Sequence, residues 1–204
     1  MNITTHPLFQ QKCFSFSLDN HEHYKKMINQ IILVEENKHL QTLSRGDSLV
    51  LDTQSNVYAW RTNWNIHLEF PILHQICQDI LQYGKEIIKQ EKIECEGGLR
   101  INNCWINKYK KDDYALSHAH DRHGWSCVYF VQIPDDSSTF QFHNPIGTTF
   151  KSALKDYAPT LDISVTEGSV LFFQGVLFHS VTPHQSSQER ITLAGNLCND
   201  FKEK

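Results

Sequence analysis

No two of the six cysteines, at positions 13, 77, 95, 104, 127 and 198, stand in CxxC spacing, and no compact cysteine framework appears. With no disulfide scaffold to read, the thiols are expected to be reduced and the protein cytoplasmic. No apolar run approaches the roughly 20 residues that a membrane-spanning helix needs, and the opening MNITTHPLFQQK lacks the apolar core of a secretory signal. Neither a membrane nor an export route is expected. The 19 Lys and Arg residues are scattered, the net charge is −4, and no basic stripe forms; nucleic acid is not an expected partner. Internal repeats and low-complexity segments are missing as well.

What is present is a globular composition, 40% hydrophobic and 11% aromatic over 204 residues, enough for a single domain with a sizeable core. The first part, residues 1–95, reads as a helical support region. SLDNHEHYKKMINQIILVEE offers Asp19 as an N-cap with Glu22 three residues on, followed by Tyr24, Met27 or Ile28, and Ile31 at helical spacing. A polar, turn-rich stretch is expected from Glu35 to Asn56. PILHQICQDILQYGKEIIKQEK is the strongest helix, with Pro71 in its first turn and Ile72, Ile76, Ile80 and Ile87 on one face beside Leu73, Cys77 and Leu81.

After CEGG at 95–98 the pattern changes to short β-branched and aromatic runs: LRINNCWINKY, SCVYFVQIP, TFQFH, LDISV, SVLFFQG, LFHSVTP and RITLAGNL. TEGS at 166–169 reads as a tight turn between two of them. Seven or eight such strands over residues 96–201, with helices before them, predict a mostly β protein: an antiparallel sandwich or barrel, jelly roll included, braced by helices.

The twelve histidines are many, and three fall in SHAHDRHG. On an extended segment His118 and His120 share a side, whereas Asp121 and His123 do not. A third ligand has to come from elsewhere, and His179, at the start of a strand after an apolar hairpin, is the best placed. Imidazole suits iron, zinc, copper and nickel alike, so three histidines do not choose the metal. His143 and His184 stand beside loop prolines and read as solvated; Trp105, Phe172 and Phe173 read as core. Arg190 opens a strand whose Ile191, Leu193 and Gly195 face one way, and whose Arg190, Thr192, Ala194 and Asn196 face the other. A guanidinium on a core-bound strand needs an anion: a structural Asp or Glu, or a small dicarboxylate gripped by the planar fork, with Thr192 as a neighbouring donor.

The ordered set CWINKYKKDDYALSHAH, WSCVYFVQIP, TEGSVLFFQGVLFHSVTP and ERITLAGNL resembles the iron(II)- and 2-oxoglutarate-dependent dioxygenases over about residues 101–198. It is most similar to the group from bacteria and their phages that carries HxH, a later His and an Arg. The resemblance implies a double-stranded β-helix, a form of the jelly roll. It implies iron(II) held by His118, His120 and His179, with His120 where most of the family carries a carboxylate. Asp121 reaching the metal through a register shift, or a zinc site, are the alternatives. It implies 2-oxoglutarate bound through Arg190, with Tyr109, Thr192, Asn107 and Tyr129 around it, and Asp121 or Asp113 as an acceptor for a ligand N–H. No side chain beyond the metal centre is then catalytic. The implied reaction consumes O2, releases succinate and carbon dioxide, and hydroxylates a C–H bond of a small-molecule or peptide substrate, with the loop from Pro145 to Thr160 as a lid. Rival readings are a three-histidine thiol dioxygenase, a zinc hydrolase, or a non-catalytic jelly-roll binding protein.

Overall fold

The computed structural model describes residues 11–44, 56–93, 98–120, 124–144 and 159–199. Asp121, His123 and most of the expected lid (145–158) lie outside them. Two antiparallel sheets face each other. The larger has six strands in the order β1 (Cys13–Ser17), β9 (Ser169–Gln174), β6 (Trp125–Gln132), β11 (Arg190–Asn199), β4 (Leu99–Tyr109), β3 (Trp60–Arg61). The smaller has five: β2 (Val57–Tyr58), β5 (Tyr114–His118), β10 (His179–Val181), β7 (Phe140–His143), β8 (Thr160–Ile163). From β4 onward the chain alternates between the sheets except at β7 and β8, which follow one another in the smaller sheet as an antiparallel pair, the winding of a double-stranded β-helix. The TEGS turn is one such crossing, from β8 to β9. Gly168 takes φ +87° there, a conformation that costs other residues dearly, and the Ser169 amide closes the turn onto the Thr166 carbonyl at 3.1 Å.

Two helices cover the outer face of the larger sheet. α1 (His21–Ser44) begins one residue later than the Asp19 cap predicts, with the Tyr24 amide bonding the Asn20 carbonyl at 3.0 Å. It also runs on through the first part of the stretch expected to be turns, to Ser44. Among its described side chains Tyr24, Ile28, Ile31 and Ile32 are buried, and the buried Lys108 of β4 reaches the partly buried Glu36. α2 (Pro71–Gln90) has Pro71 at its start and buries Leu73, Ile76, Cys77, Ile80, Leu81, Gly84 and Ile88. Its inward stripe is therefore centred one position away from the expected Ile72 and Ile87, which are only partly buried. Gly84 is a point of close approach: a Cβ there would stand 3.1 Å from the Phe172 ring and 3.2 Å from Leu99. No described helix is long and apolar enough to cross a membrane.

The region 1–95 is more than a helical support. It adds β1 to one edge of the larger sheet, β3 to the other edge, and β2 to the smaller sheet. β1 is an alternating CFSFS whose Phe14 and Phe16 pack on the helix-side core, Phe16 stacking on Tyr83 at 4.5 Å. Two apolar clusters result. One lies between helices and sheet, around Ile76, Ile106, Phe172, Leu193 and Leu197; the other lies between the sheets, around Phe130, Phe140, Phe142 and Phe173. β4 reaches the first cluster with Leu99 and Ile101 and again with Cys104 and Ile106. The bulge opposite Asn196 and Leu197, where Asn102 is skipped in the pairing, accounts for this change of phase.

Candidate metal centre

β5 and β10 are antiparallel neighbours, and their register sets His179 directly opposite His118. His120 lies just past the end of β5, where its amide bonds the Gly175 carbonyl at 2.6 Å. The three rings face one another with centroids 4.4 Å (His118 to His179), 5.1 Å (His120 to His179) and 5.2 Å (His118 to His120) apart. One nitrogen from each lies within 4.8 Å of the others, close enough to share an ion.

The opposite nitrogens set the tautomers. His118 Nδ1 donates to the Leu116 carbonyl at 2.7 Å, and His179 Nδ1 to the Leu177 carbonyl at 2.9 Å. His120 Nδ1 meets Asn196 Oδ1, which also accepts from Ser126 Oγ at 2.9 Å. Nε2 is thereby left as the ligand-competent atom on each ring, the orientation by outer hydrogen bonds that metal histidines need. Burial pushes His179 down to about 3, with His118 beside it adding to the effect, and burial lowers His118 too. Both are neutral near pH 7, the form that binds metal. Asn196 and Ser126 had no role in the sequence reading. The signal was a pair of polar residues on buried strands, one of them in phase with Arg190. Asp113 is not an acceptor for these histidines: its carboxylate takes the Lys110 amide of its own turn at 2.8 Å.

The triad opens onto a cavity between the sheets that Arg190, Thr192, Asn107, Tyr109 and Trp105 also line, walled by Val128, Phe140 and Phe173. Among the described residues no carboxylate lines it. Arg190 is 1% exposed. Its Cζ stands 5.3 Å from the Tyr109 ring centroid and 5.5 Å from that of Phe130, and its Nη1 donates to Ser138 Oγ at 2.8 Å. Nε and Nη2 have no partner among the described residues. Those two atoms carry the parallel N–H bonds of a guanidinium's side-on fork, the edge that takes a carboxylate bidentately. Leaving such a charge buried and unpaired costs on the order of several kcal/mol. The donor set therefore fits a dicarboxylate: three imidazoles for a metal at one place, and a vacant fork at another.

The remaining expectations divide. Tyr129 faces away from the cavity, into the helix-side core, where its hydroxyl meets His21 Nδ1 at 2.7 Å. It is not positioned to contact a ligand in the cavity, because Val128 and Phe130 are the residues of β6 that turn inward. Trp105 and Phe173 are core residues that also line the cavity, whereas Phe172 belongs to the helix side. His143 is half-buried and bonds Ser180 Oγ at 2.8 Å, so it is partly solvated, whereas His184 is fully buried and is not.

A two-sheet β-helix with three convergent histidines and a buried, unpaired arginine defines the class of 2-oxoglutarate oxygenase folds. Residues 103–196, just under half of the chain, match the family described as "Putative 2OG-Fe(II) oxygenase". Among solved structures, the chain is similar to a prolyl-4-hydroxylase from Pseudomonas putida (14% identity, 93% of each chain, TM-score 0.58). It is also similar to HygX from Streptomyces hygroscopicus with nickel, 2-oxoglutarate and hygromycin B bound (12% identity, 94% of this chain and 84% of that one, TM-score 0.62). At these identities the likeness is one of fold. Against a 2OG-Fe(II) oxygenase-family oxidoreductase from Burkholderia pseudomallei the chain spans about half of that protein's length (17% identity, 57% of this chain and 53% of that one, TM-score 0.43). No curated protein matches the sequence.

Proposed function

We propose that the protein is an iron(II)- and 2-oxoglutarate-dependent oxygenase that hydroxylates a C–H bond of a small-molecule or peptide substrate. His118, His120 and His179 hold the iron, and Arg190 holds the far carboxylate of 2-oxoglutarate. The observation that carries the reading is the vacant Nε–Nη2 fork of Arg190, buried in the same cavity as the triad.

Iron with 2-oxoglutarate supplies the oxidising chemistry, consuming O2 and releasing succinate and carbon dioxide. The chain's contribution is placement. The Leu116 and Leu177 carbonyls and the Asn196 amide hold three Nε2 atoms toward one point. The fork binds a carboxylate, and Thr192 adds a hydroxyl on the same face of β11. Phe140, Phe173 and Val128 keep water from the space between, which strengthens every polar contact inside it. Three neutral ligands leave the metal one charge more positive than two histidines and a carboxylate would, and the dianionic cosubstrate offsets this. The Trp105 indole N–H, buried in the cavity wall with no partner among the described residues, is a donor for an acceptor atom on the substrate. The thiol dioxygenase and zinc hydrolase readings give the arginine fork nothing to bind.

The test is an anaerobic titration of metal-free protein with iron(II), then 2-oxoglutarate, watching the weak visible charge-transfer band of the chelate. One iron per chain and a saturable band, lost in His179→Ala, are expected. Bound iron with no band would overturn the 2-oxoglutarate assignment, and no stoichiometric iron would overturn the metal assignment.

A further inference from the structure

The guanidinium of Arg190 has a position and a rotation to fix. Its position is held by the Tyr109 and Phe130 rings, whose centroids stand 5.3 and 5.5 Å from Cζ. Its rotation is not, because rings offer no directional anchor. The anchor is a hydrogen bond at the one nitrogen outside the fork: Nη1 donates to Ser138 Oγ at 2.8 Å. Ser138 is itself buried and lies in the connection between β6 and β7, where no sheet ladder holds it. Its amide donates to Nδ1 of His184 at 3.2 Å, and Nε2 of His184 donates to the Gln188 carbonyl at 2.7 Å. His184 is 0% exposed. Its backbone is clamped in both directions to the β4–β5 turn, with the Asp112 amide on its carbonyl at 2.8 Å and its own amide on the Asp113 carbonyl at 2.9 Å.

We infer that His184 and Ser138 form a strut that turns the Nε–Nη2 edge of Arg190 into the cavity, and so set the affinity for the distal carboxylate of 2-oxoglutarate. Both are positioning residues: neither lines the cavity. The hydrogen-bond pattern requires Nδ1 of His184 as acceptor and Nε2 as donor, so a replacement has to offer both. Glutamine can, and alanine cannot. The inference rests on the proposed role of Arg190, and a pair of probes separates the two. 2-Oxopentanoate keeps the 2-oxo acid that reaches the metal but ends in a methyl group where 2-oxoglutarate has its second carboxylate.

The experiment is calorimetric titration of the nickel(II)-loaded protein with each probe. Wild type should prefer 2-oxoglutarate strongly. Ser138→Ala and His184→Ala should each reduce that preference about five- to tenfold, the net size of one ordinary hydrogen bond, while binding 2-oxopentanoate as wild type does. His184→Gln should recover most of it. If the variants weaken both probes equally, or leave the preference intact, the strut is wrong while the arginine assignment stands. If wild type itself shows no preference, the Arg190 assignment fails and the strut with it.

Discussion

On β11, Ile191, Leu193 and Leu197 turn toward the helices while Arg190, Thr192, Ala194 and Asn196 turn into the cavity or onto its histidines. The two faces of one sheet thus use the same backbone for opposite purposes. The helix side is filled to the point of contact, as the 3.1 Å between a Cβ at Gly84 and Phe172 shows. The cavity side leaves hydrogen-bonding capacity unspent. Of the seven buried side-chain polar atoms without a partner among the described residues, four belong to cavity residues: Trp105 Nε1, Asn107 Oδ1, and Nε and Nη2 of Arg190. Native interiors rarely tolerate such atoms. Their concentration on one face marks where the fold gives up stability for binding.

Substitutions can break that contrast. The largest effect belongs to Arg190→Ala, which should weaken 2-oxoglutarate by about 2–5 kcal/mol, roughly thirty- to several-thousand-fold. Iron affinity in its absence should be unchanged, and equilibrium titration reads both. Asn196→Ala removes the acceptor of His120 and should lower metal affinity about 10–100-fold, checked by competition with a chromophoric chelator. On the sealed face, Gly84→Ala sharpens the contrast from the other side. Overpacking costs about 1–3 kcal/mol, against about 1 kcal/mol gained in helix propensity. A lower midpoint of denaturation with unaltered metal affinity is expected. The smallest effect is at the periphery, where Glu167 meets Lys25 at 2.5 Å and the Ile133 amide at 2.9 Å. Partial burial opposes ionisation of Glu167, but those bonds outweigh it and hold its pKa below the ordinary carboxylate value. A carboxylate with a depressed folded pKa stabilises at pH values above its unfolded pKa, and that contribution is lost as pH falls through the folded value. Glu167→Gln should therefore cost less than about 1 kcal/mol at neutral pH, and the difference from wild type should vanish in acid.

Much of this contrast was legible beforehand. The limits of β4 follow from its β-branched and aromatic run and the phase of β11 from alternation, and His118, His120 and His179 do converge. The misplacement of Tyr129 has a simple cause. In WSCVYFVQ every residue but the last is buried, on both faces, so periodicity carries no information about which side is which. His184 was misread because a proline neighbour suggests a loop, and only tertiary packing buries it. The strands β2 and β3 are two residues each and have no periodicity to detect. α1 outran its expected end because helix length is settled by packing and capping more than by polarity.

The pairing of β5 with β10 is short and irregular between His179 and Val181, yet on the proposed reading it carries ligands from both strands. A bound ion would then act as a clasp, joining positions 118 and 179 that are remote along the chain and reinforcing a weak seam of the smaller sheet. Folding and metal supply become linked quantities: at a free ion concentration 100 times the dissociation constant, the native state gains about 2.7 kcal/mol. The protein's resistance to unfolding would then report how much metal its surroundings provide, before any substrate is met.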